Sequence, residues 1–261
     1  MGAHMTPLIR WVGGKAWLLS AFNHIVGNTP YTRLVELFAG GAAISLGRNE
    51  PRALLNDMNT GLYCMYRSVQ QGRYPTPPTY VDSTKYMETR ALFNLRMRPP
   101  VHDEETIGNL FYFLNKYSFN GLWRVNKRGE FNVPWNKKSN VPYPDFAPYR
   151  ERLADWTLDN VDYASVALLP GDLIFADPPY DGTFSSYTAE GFSWPQQLEF
   201  ARYLAGLNLP VVATNAATTR IQSLYRDMGF TVLTIEAPRR VASNGDRTPA
   251  LEIVAHKNLV P

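Results

Sequence analysis

The stretch Asp172-Leu173-Ile174-Phe175-Ala176-Asp177-Pro178-Pro179-Tyr180 constrains the fold more than any other. Its apolar first half reads as a strand buried on both faces of a parallel sheet. Proline has no N–H to give a sheet ladder, so the strand must end at Ala176 or Asp177. In an open α/β sheet, ligands sit just beyond the carboxyl ends of the strands. A carboxylate (Asp177), a carbonyl aimed by a proline ring (Pro178) and an aromatic ring (Tyr180) therefore stand where chemistry is done. Four letters alone would also suit an ordinary strand-to-loop junction; the buried strand before them favours a site.

Two upstream segments supply the rest of such a sheet. Arg10-Trp11-Val12-Gly13-Gly14-Lys15 has paired glycines, which allow close backbone approach, and a lysine suited to a carboxylate or phosphate. It is not a P-loop, because the upstream glycine and the hydroxyl residue after the lysine are missing. A helix follows from Ala16 to about Val26, with Trp17, Leu18, Ala21, Phe22 and Ile25 on its apolar face. Then Leu34 to Phe38 reads as a strand entering the turn Ala39-Gly40-Gly41 and a second helix. The dinucleotide pattern G-x-G-x-x-G is absent, which disfavours a pyrophosphate ligand. A second strand, Ala53 to Asn56, ends at Asp57, where an acid usually holds a ribose hydroxyl pair. Asp57 as a simple helix N-cap is the competing reading.

From about residue 58 to 163 the texture changes to helical, with proline breaks at 75–78 and 99–100 and no strand signal. Within it, the Asn120-Gly121 turn leads to a hairpin tip at Asn126-Lys127-Arg128-Gly129. Lys116 to Asn140 holds six basic residues against the single acid Glu130, although the whole chain carries only +3. A basic segment interleaved with Trp123, Phe131 and Trp135 on a near-neutral body points to a nucleic-acid contact rather than a merely solvated loop. After Asp177 come a helix capped by Ser193, a strand at 210–215, a helix at 220–228 and two strands at 231–236 and 251–255. The last two flank Arg239-Arg240 and Arg247, a second candidate backbone-contact loop.

The single Cys64 excludes an internal disulfide and agrees with a reducing compartment. The histidines are scattered without metal spacing, so no metal site is expected. No stretch is long and apolar enough for a membrane span. Met1-Gly2-Ala3-His4-Met5 reads as an expression scar.

In their order, the Arg10–Lys15 stretch, the Phe38-Ala39-Gly40-Gly41 turn, Asn56-Asp57, the Asn120-Gly121-Leu122 to Pro134 segment and Asp177-Pro178-Pro179-Tyr180 resemble the Dam-type (group alpha) DNA adenine-N6 methyltransferases. The resemblance runs from about Leu8 to Lys257 and is most specific in Arg124-x-Asn126-x-x-Gly129-Glu130-Phe131-Asn132-x-Pro134. Ala42 stands where many relatives have glycine, and Phe119 where tyrosine is common. The fold implied is α/β: a Rossmann-like class I methyltransferase sheet from residues 6–57 and 164–261, interrupted by a mainly helical target-recognition insertion, 58–163, carrying a β-hairpin.

The resemblance also implies roles. Trp11, Lys15, Phe38, Ala39, Gly40, Asp57 and Asp177 would bind S-adenosylmethionine. Asp177, Pro178 and Tyr180 would serve the methyl transfer to adenine. Arg10, Phe119, Asn120, Leu122, Arg124, Asn126, Pro134 and Lys137 would bind double-stranded DNA, with GATC the implied site. A monomeric, cytoplasmic protein, bacterial or phage-encoded, is expected. Cys64 follows Tyr63 rather than a proline, unlike a cytosine-C5 nucleophile. A cytosine-N4 methyltransferase, a release-factor-type glutamine methyltransferase, and a non-catalytic DNA-binding module with a vestigial cofactor pocket are the alternatives.

Overall fold

The computed structural model describes residues 4–99, 103–181, 192–238 and 249–260. The expected strands form around the apolar runs. β1 (Arg33–Glu36), β2 (Ala53–Asn56), β4 (Asp172–Ala176) and β5 (Val211–Ala216) pair in parallel, and β4 is buried at every position. With β3 (Thr157–Asp159), β6 (Thr231–Ala237) and β7 (Ala250–Lys257) they make, among the described residues, a seven-stranded sheet of order β3-β2-β1-β4-β5-β7-β6, with β7 antiparallel to both neighbours. A bidentate pair from Arg33 to Asp172, at 2.8 and 2.7 Å, locks the start of β1 to the start of β4.

Helices cover both faces of the sheet. α1 (Leu19–Val26) and α2 (Ala43–Gly47) pack on one side, where Phe22 meets Phe175 edge-on at 5.4 Å. On the other, α7 (Trp194–Gly206) and α8 (Thr219–Asp227) bury Phe200, Leu204 and Ile221 against Val35, Ile174 and Val211. Ser193 starts α7 as expected, its N–H donating to the Gln196 side chain at 2.7 Å.

The helical segment contains α3 (Thr60–Gln70), α4 (Ser83–Arg96), α5 (Glu104–Tyr117) and α6 (Ala147–Leu153). Two expectations change here. Thr157–Asp159 forms β3, pairing in parallel with β2 at the sheet edge, although the sequence showed no strand between 58 and 163. Three residues, one exposed and two half-buried, with one apolar member carry too little periodicity to be seen. The hairpin, in turn, has no regular strands. Its arms meet at isolated bridges, Val125 with Phe131 and Ser118 with Trp135, around a tight Asn126–Gly129 turn.

Candidate active site

The order of strands reverses between β1 and β4, so the turns leaving both strands open into one crevice. Asp177 lies one step beyond Ala176, which is paired with Ala213, and so faces Thr214 on β5. Thr214 donates its hydroxyl to Asp177 Oδ1 at 2.6 Å. Lys15 Nζ sits 2.9 Å from Asp177 Oδ2 and also donates to the Gly13 carbonyl. Lys15 is almost wholly buried, so this is a sequestered ion pair rather than a surface one. Tyr180 donates its hydroxyl to Glu252 Oε2 at 2.6 Å, and Lys15 Nζ lies 4.9 Å from the centre of its ring. Burial and the two nearby acids push the Tyr180 phenol well up, so it stays protonated.

Buried amides fix the turn that carries these groups. Gln197 donates to the Pro179 carbonyl at 2.8 Å and accepts from Asn215 at 2.9 Å, while Asn215 accepts from the Asp181 N–H at 3.1 Å. Asp181 is paired with Arg220, which stacks on Trp194 at 4.5 Å. Pro178, buried, is thus held in a turn fixed at the Pro179 carbonyl and the Asp181 N–H.

At the carboxyl ends of β1, β2 and β3 lies a narrow cleft lined by Ala39, Leu55, Asp57, Leu62, Tyr63, Tyr66, Leu158 and Asp159. Asp57 is not the helix cap. Asn59 caps α3, accepting from the Leu62 N–H at 3.1 Å, while Asp57 accepts from the Gly40 and Asn59 N–H groups at 3.0 and 2.9 Å. Burial raises the Asp57 carboxyl, and the two backbone donors oppose that shift. Gly40 sits at φ +46°, and a Cβ there would fall 2.6 Å from the Trp11 ring, so Trp11 packing and left-handed backbone both demand glycine. Phe38 takes a different place: its ring packs on Tyr163, Phe192 and Phe200 beneath α7, and it is not among the residues lining the Asp57 cleft.

A third group, distant in sequence, forms the candidate nucleic-acid face. Buried Asn115 accepts from the Arg10 N–H at 3.2 Å and donates to the carbonyls of Arg10 and Gly121, at 2.7 and 3.2 Å. Arg10 is thereby fastened to the Phe119-Asn120-Gly121 turn, in which Asn120 has φ +56° and Phe119 is half exposed. Arg124 is exposed and braced by Asn132, its Nε donating to Asn132 Oδ1 at 2.7 Å. Leu122 is half-buried beside it, and Pro134, exposed, accepts the Phe119 N–H at 2.8 Å. Lys137 is exposed with φ +64°. Asn126 spends its side chain within the turn, accepting from the N–H groups of Arg128 and Glu130 and donating to Glu130 Oε2.

Trp123 and Phe131, set among the basic residues, do not face outward as Phe119 does. Trp123 packs on Phe111 at 4.9 Å and on Phe131 at 5.1 Å, and Phe131 is buried. The rings anchor the segment to α4 and α5 while Arg124, Lys127, Arg128, Lys137 and Lys138 remain exposed. The alternation of rings and charges was therefore an amphipathic pattern, not a row of exposed stacking platforms. Cys64 is buried, as expected, and burial pushes its thiol up to about 12. The loop with Arg239, Arg240, Ser243, Asn244, Gly245 and Arg247 lies outside the described residues, as do residues 1–3 of the N-terminal segment.

Sequence reasoning missed Thr214, Glu252, Asn115 and Asp159. Thr214 and Glu252 lie inside strands with no motif of their own. Asp159 followed from β3, and the missed strand concealed it.

Comparison with known proteins bears on these groups. The family profile of the D12 class N6 adenine-specific DNA methyltransferases matches residues 11–241. The chain is 31% identical to the retron Ec67 DNA adenine methylase of Escherichia coli, over 96% of this chain and 91% of that protein. It is 30% identical to the DNA N-6-adenine-methyltransferase of Escherichia phage P1, over 92% of this chain but only 33% of that longer protein. With the DNA adenine methylase of Escherichia coli strain K12 it shares 29% identity over 91% of this chain and 89% of the other.

Proposed function

The chain belongs to the D12 class of N6 adenine-specific DNA methyltransferases, and from that premise we propose that it methylates a flipped-out adenine within GATC using S-adenosylmethionine. The family's adenine specificity sets aside the cytosine-N4, glutamine and non-catalytic alternatives. The observation that carries the finer reading is the placement of Asp57 and Asp177 at the carboxyl ends of β2 and β4, the two strands that flank β1, beside which the strand order reverses.

The groups lining this narrow cleft are of the kind a nucleoside needs. Leu55, Leu158 and Tyr63 offer apolar walls, and the Asp57 carboxylate, steadied by two backbone N–H groups, is placed for a ribose hydroxyl pair. Lys15 engages two of its three donors with Asp177 and Gly13, leaving one for the cofactor's carboxylate. When bound, S-adenosylmethionine would supply an electrophilic methyl group on a sulfonium, which surrounding acids tolerate. The adenine amine is a weak nucleophile because its lone pair is delocalised into the ring. Asp177 and the Pro178 carbonyl would each accept one of its N–H bonds, orienting the nitrogen lone pair toward the methyl. Tyr180 would lie against the base. An adenine inside a duplex cannot reach this crevice, so it must leave the stack, at a cost of a few kcal/mol.

Target reading falls to the insertion. Arg10 and Arg124 would each pair with a guanine, Leu122 and Pro134 would touch a thymine methyl, and Phe119 with Asn120 would fill the gap left by the flipped base. Single-molecule sequencing of DNA from cells expressing the protein tests this reading, reporting modified base and context together. N6-methyladenine confined to GATC is the expected result. Methylation at another context would overturn the site assignment, and persistence of methylation with Asp177→Ala would overturn the chemistry.

A further inference from the structure

Glu252 enters the site from β7, where it is paired with Ala216 of β5. It follows no motif, yet its side chain is 14% exposed and lies against two proposed site residues. Its Oε2 accepts the Tyr180 hydroxyl at 2.6 Å and stands 3.9 Å from Lys15 Nζ. The ammonium thus lies between two carboxylates, 2.9 Å from Asp177 and farther from Glu252. Asp177 is doubly committed, with Oδ1 taking the Thr214 hydroxyl and Oδ2 taking Lys15. An oxygen polarised by an ammonium is a weaker acceptor for an incoming amine N–H. Asp177 therefore binds the target amine better as it loosens its hold on Lys15, and the donor released, the one given neither to Gly13 nor to the cofactor's carboxylate, then needs an acceptor in this buried space.

We infer that Glu252 is a positioning residue of the methyl-transfer site, holding Tyr180 by its hydroxyl and accepting Lys15 when Asp177 Oδ2 turns to the target amine. A displacement of about 1 Å by a flexible four-carbon stem completes the second ion pair. The Tyr180 hydroxyl, which adjoins Thr214 as well as Glu252, keeps the two carboxylates in one connected network. The inference rests on the adenine-methylation reading above.

Glu252→Gln keeps an acceptor for the phenol but removes the second charge. With DNA and S-adenosylmethionine saturating, its single-turnover rate should fall roughly ten- to hundredfold. Cofactor Kd by calorimetry, DNA Kd by anisotropy and the fraction of competent enzyme by active-site titration should stay within about twofold of wild type, a change too small to account for such a loss. Tyr180→Phe leaves Glu252 in place and tests the hydroxyl contact from the other side, so the pair remains testable if the Gln variant misfolds; a slower single-turnover rate at unchanged competent fraction is expected. Three results would overturn the inference: an unchanged rate in Glu252→Gln, a smaller competent fraction turning over at the normal rate, or a loss confined to cofactor Kd. If the wild-type protein itself transferred no methyl group to adenine, the underlying functional reading would fail instead.

Discussion

Thr214 Oγ1 donates to Asp177 Oδ1 at 2.6 Å across the β4–β5 boundary, from a side chain with no solvent exposure. The contact fixes one carboxylate oxygen and so determines where the other points. Thr214→Val keeps the shape and deletes the donor. Its single-turnover methylation rate should drop by roughly ten- to hundredfold, with Thr214→Ser recovering most of it. Equal rates for Val and wild type would mean that Asp177 is oriented by Lys15 alone.

Ala42 is the buried residue at the start of α2, and it holds left-handed backbone at φ 50° and ψ 39°. That conformation costs an L-residue roughly 1 kcal/mol, which Ala42→Gly relieves. The lost methyl burial costs about 0.8 kcal/mol in return. Urea unfolding should therefore place Ala42→Gly within about 0.5 kcal/mol of wild type, since the two terms nearly cancel. Ala42→Val combines a β-branched side chain in that region with overpacking and should cost roughly 3 kcal/mol. A strongly destabilised glycine variant would show that the Ala42 methyl matters beyond its burial.

Glu36, buried at the end of β1, accepts from the Ser45 N–H at 2.8 Å, and burial raises its carboxyl to about 7. A raised folded-state value means that the native protein binds the proton more tightly than the unfolded chain. Stability from this group is complete below about pH 4.5 and drains away as pH rises through about 7, by roughly 3 kcal/mol. Glu36→Gln cannot titrate, so it should gain on wild type by up to that amount between pH 5 and 8. Denaturant unfolding of the cofactor-free proteins at both pH values measures it; a constant difference would contradict the raised value.

Arg124, braced on Asn132, presents a planar fork able to meet guanine O6 and N7 together, worth about 1–3 kcal/mol of discrimination. Arg124→Ala should lower methylation of GATC while raising relative activity on sites altered at one base pair. Lys137, exposed at the far side of the turn, suits a phosphate, so Lys137→Ala should weaken all sequences alike and reduce the salt slope by about one charge. Methylation of GATC and its single-substitution variants, with binding across a salt series, separates the two. If Arg124→Ala lost activity equally on every site, the arginine would be a phosphate anchor.

Much of the scaffold was legible before any coordinates. Phe175 and Ala176 before two prolines mark the end of a buried strand, and Asp57 after Leu54-Leu55 marks another, because burial and proline geometry act over a few residues. Local chemistry also marks the Asn126–Gly129 turn, whose asparagine closes it through its own side chain. β3 escaped notice since three edge residues, half in water, need no pattern.

What the sequence determined by itself was every strand of the sheet but β3, the turns and the groups that stand at strand ends and in motifs, since these follow from periodicity and backbone restriction between near neighbours. Tertiary structure alone decided which of those groups meet. Asn115 ties Arg10 to Gly121, Thr214 meets Asp177, and Glu252 meets Tyr180 through pairings of strands and helices separated by tens of residues. A threonine or glutamate within a strand is unremarkable in one dimension. It acquires a role when sheet order brings a particular neighbour within about 3 Å in a buried space, where an unpaired polar group is costly and a paired one is held in place.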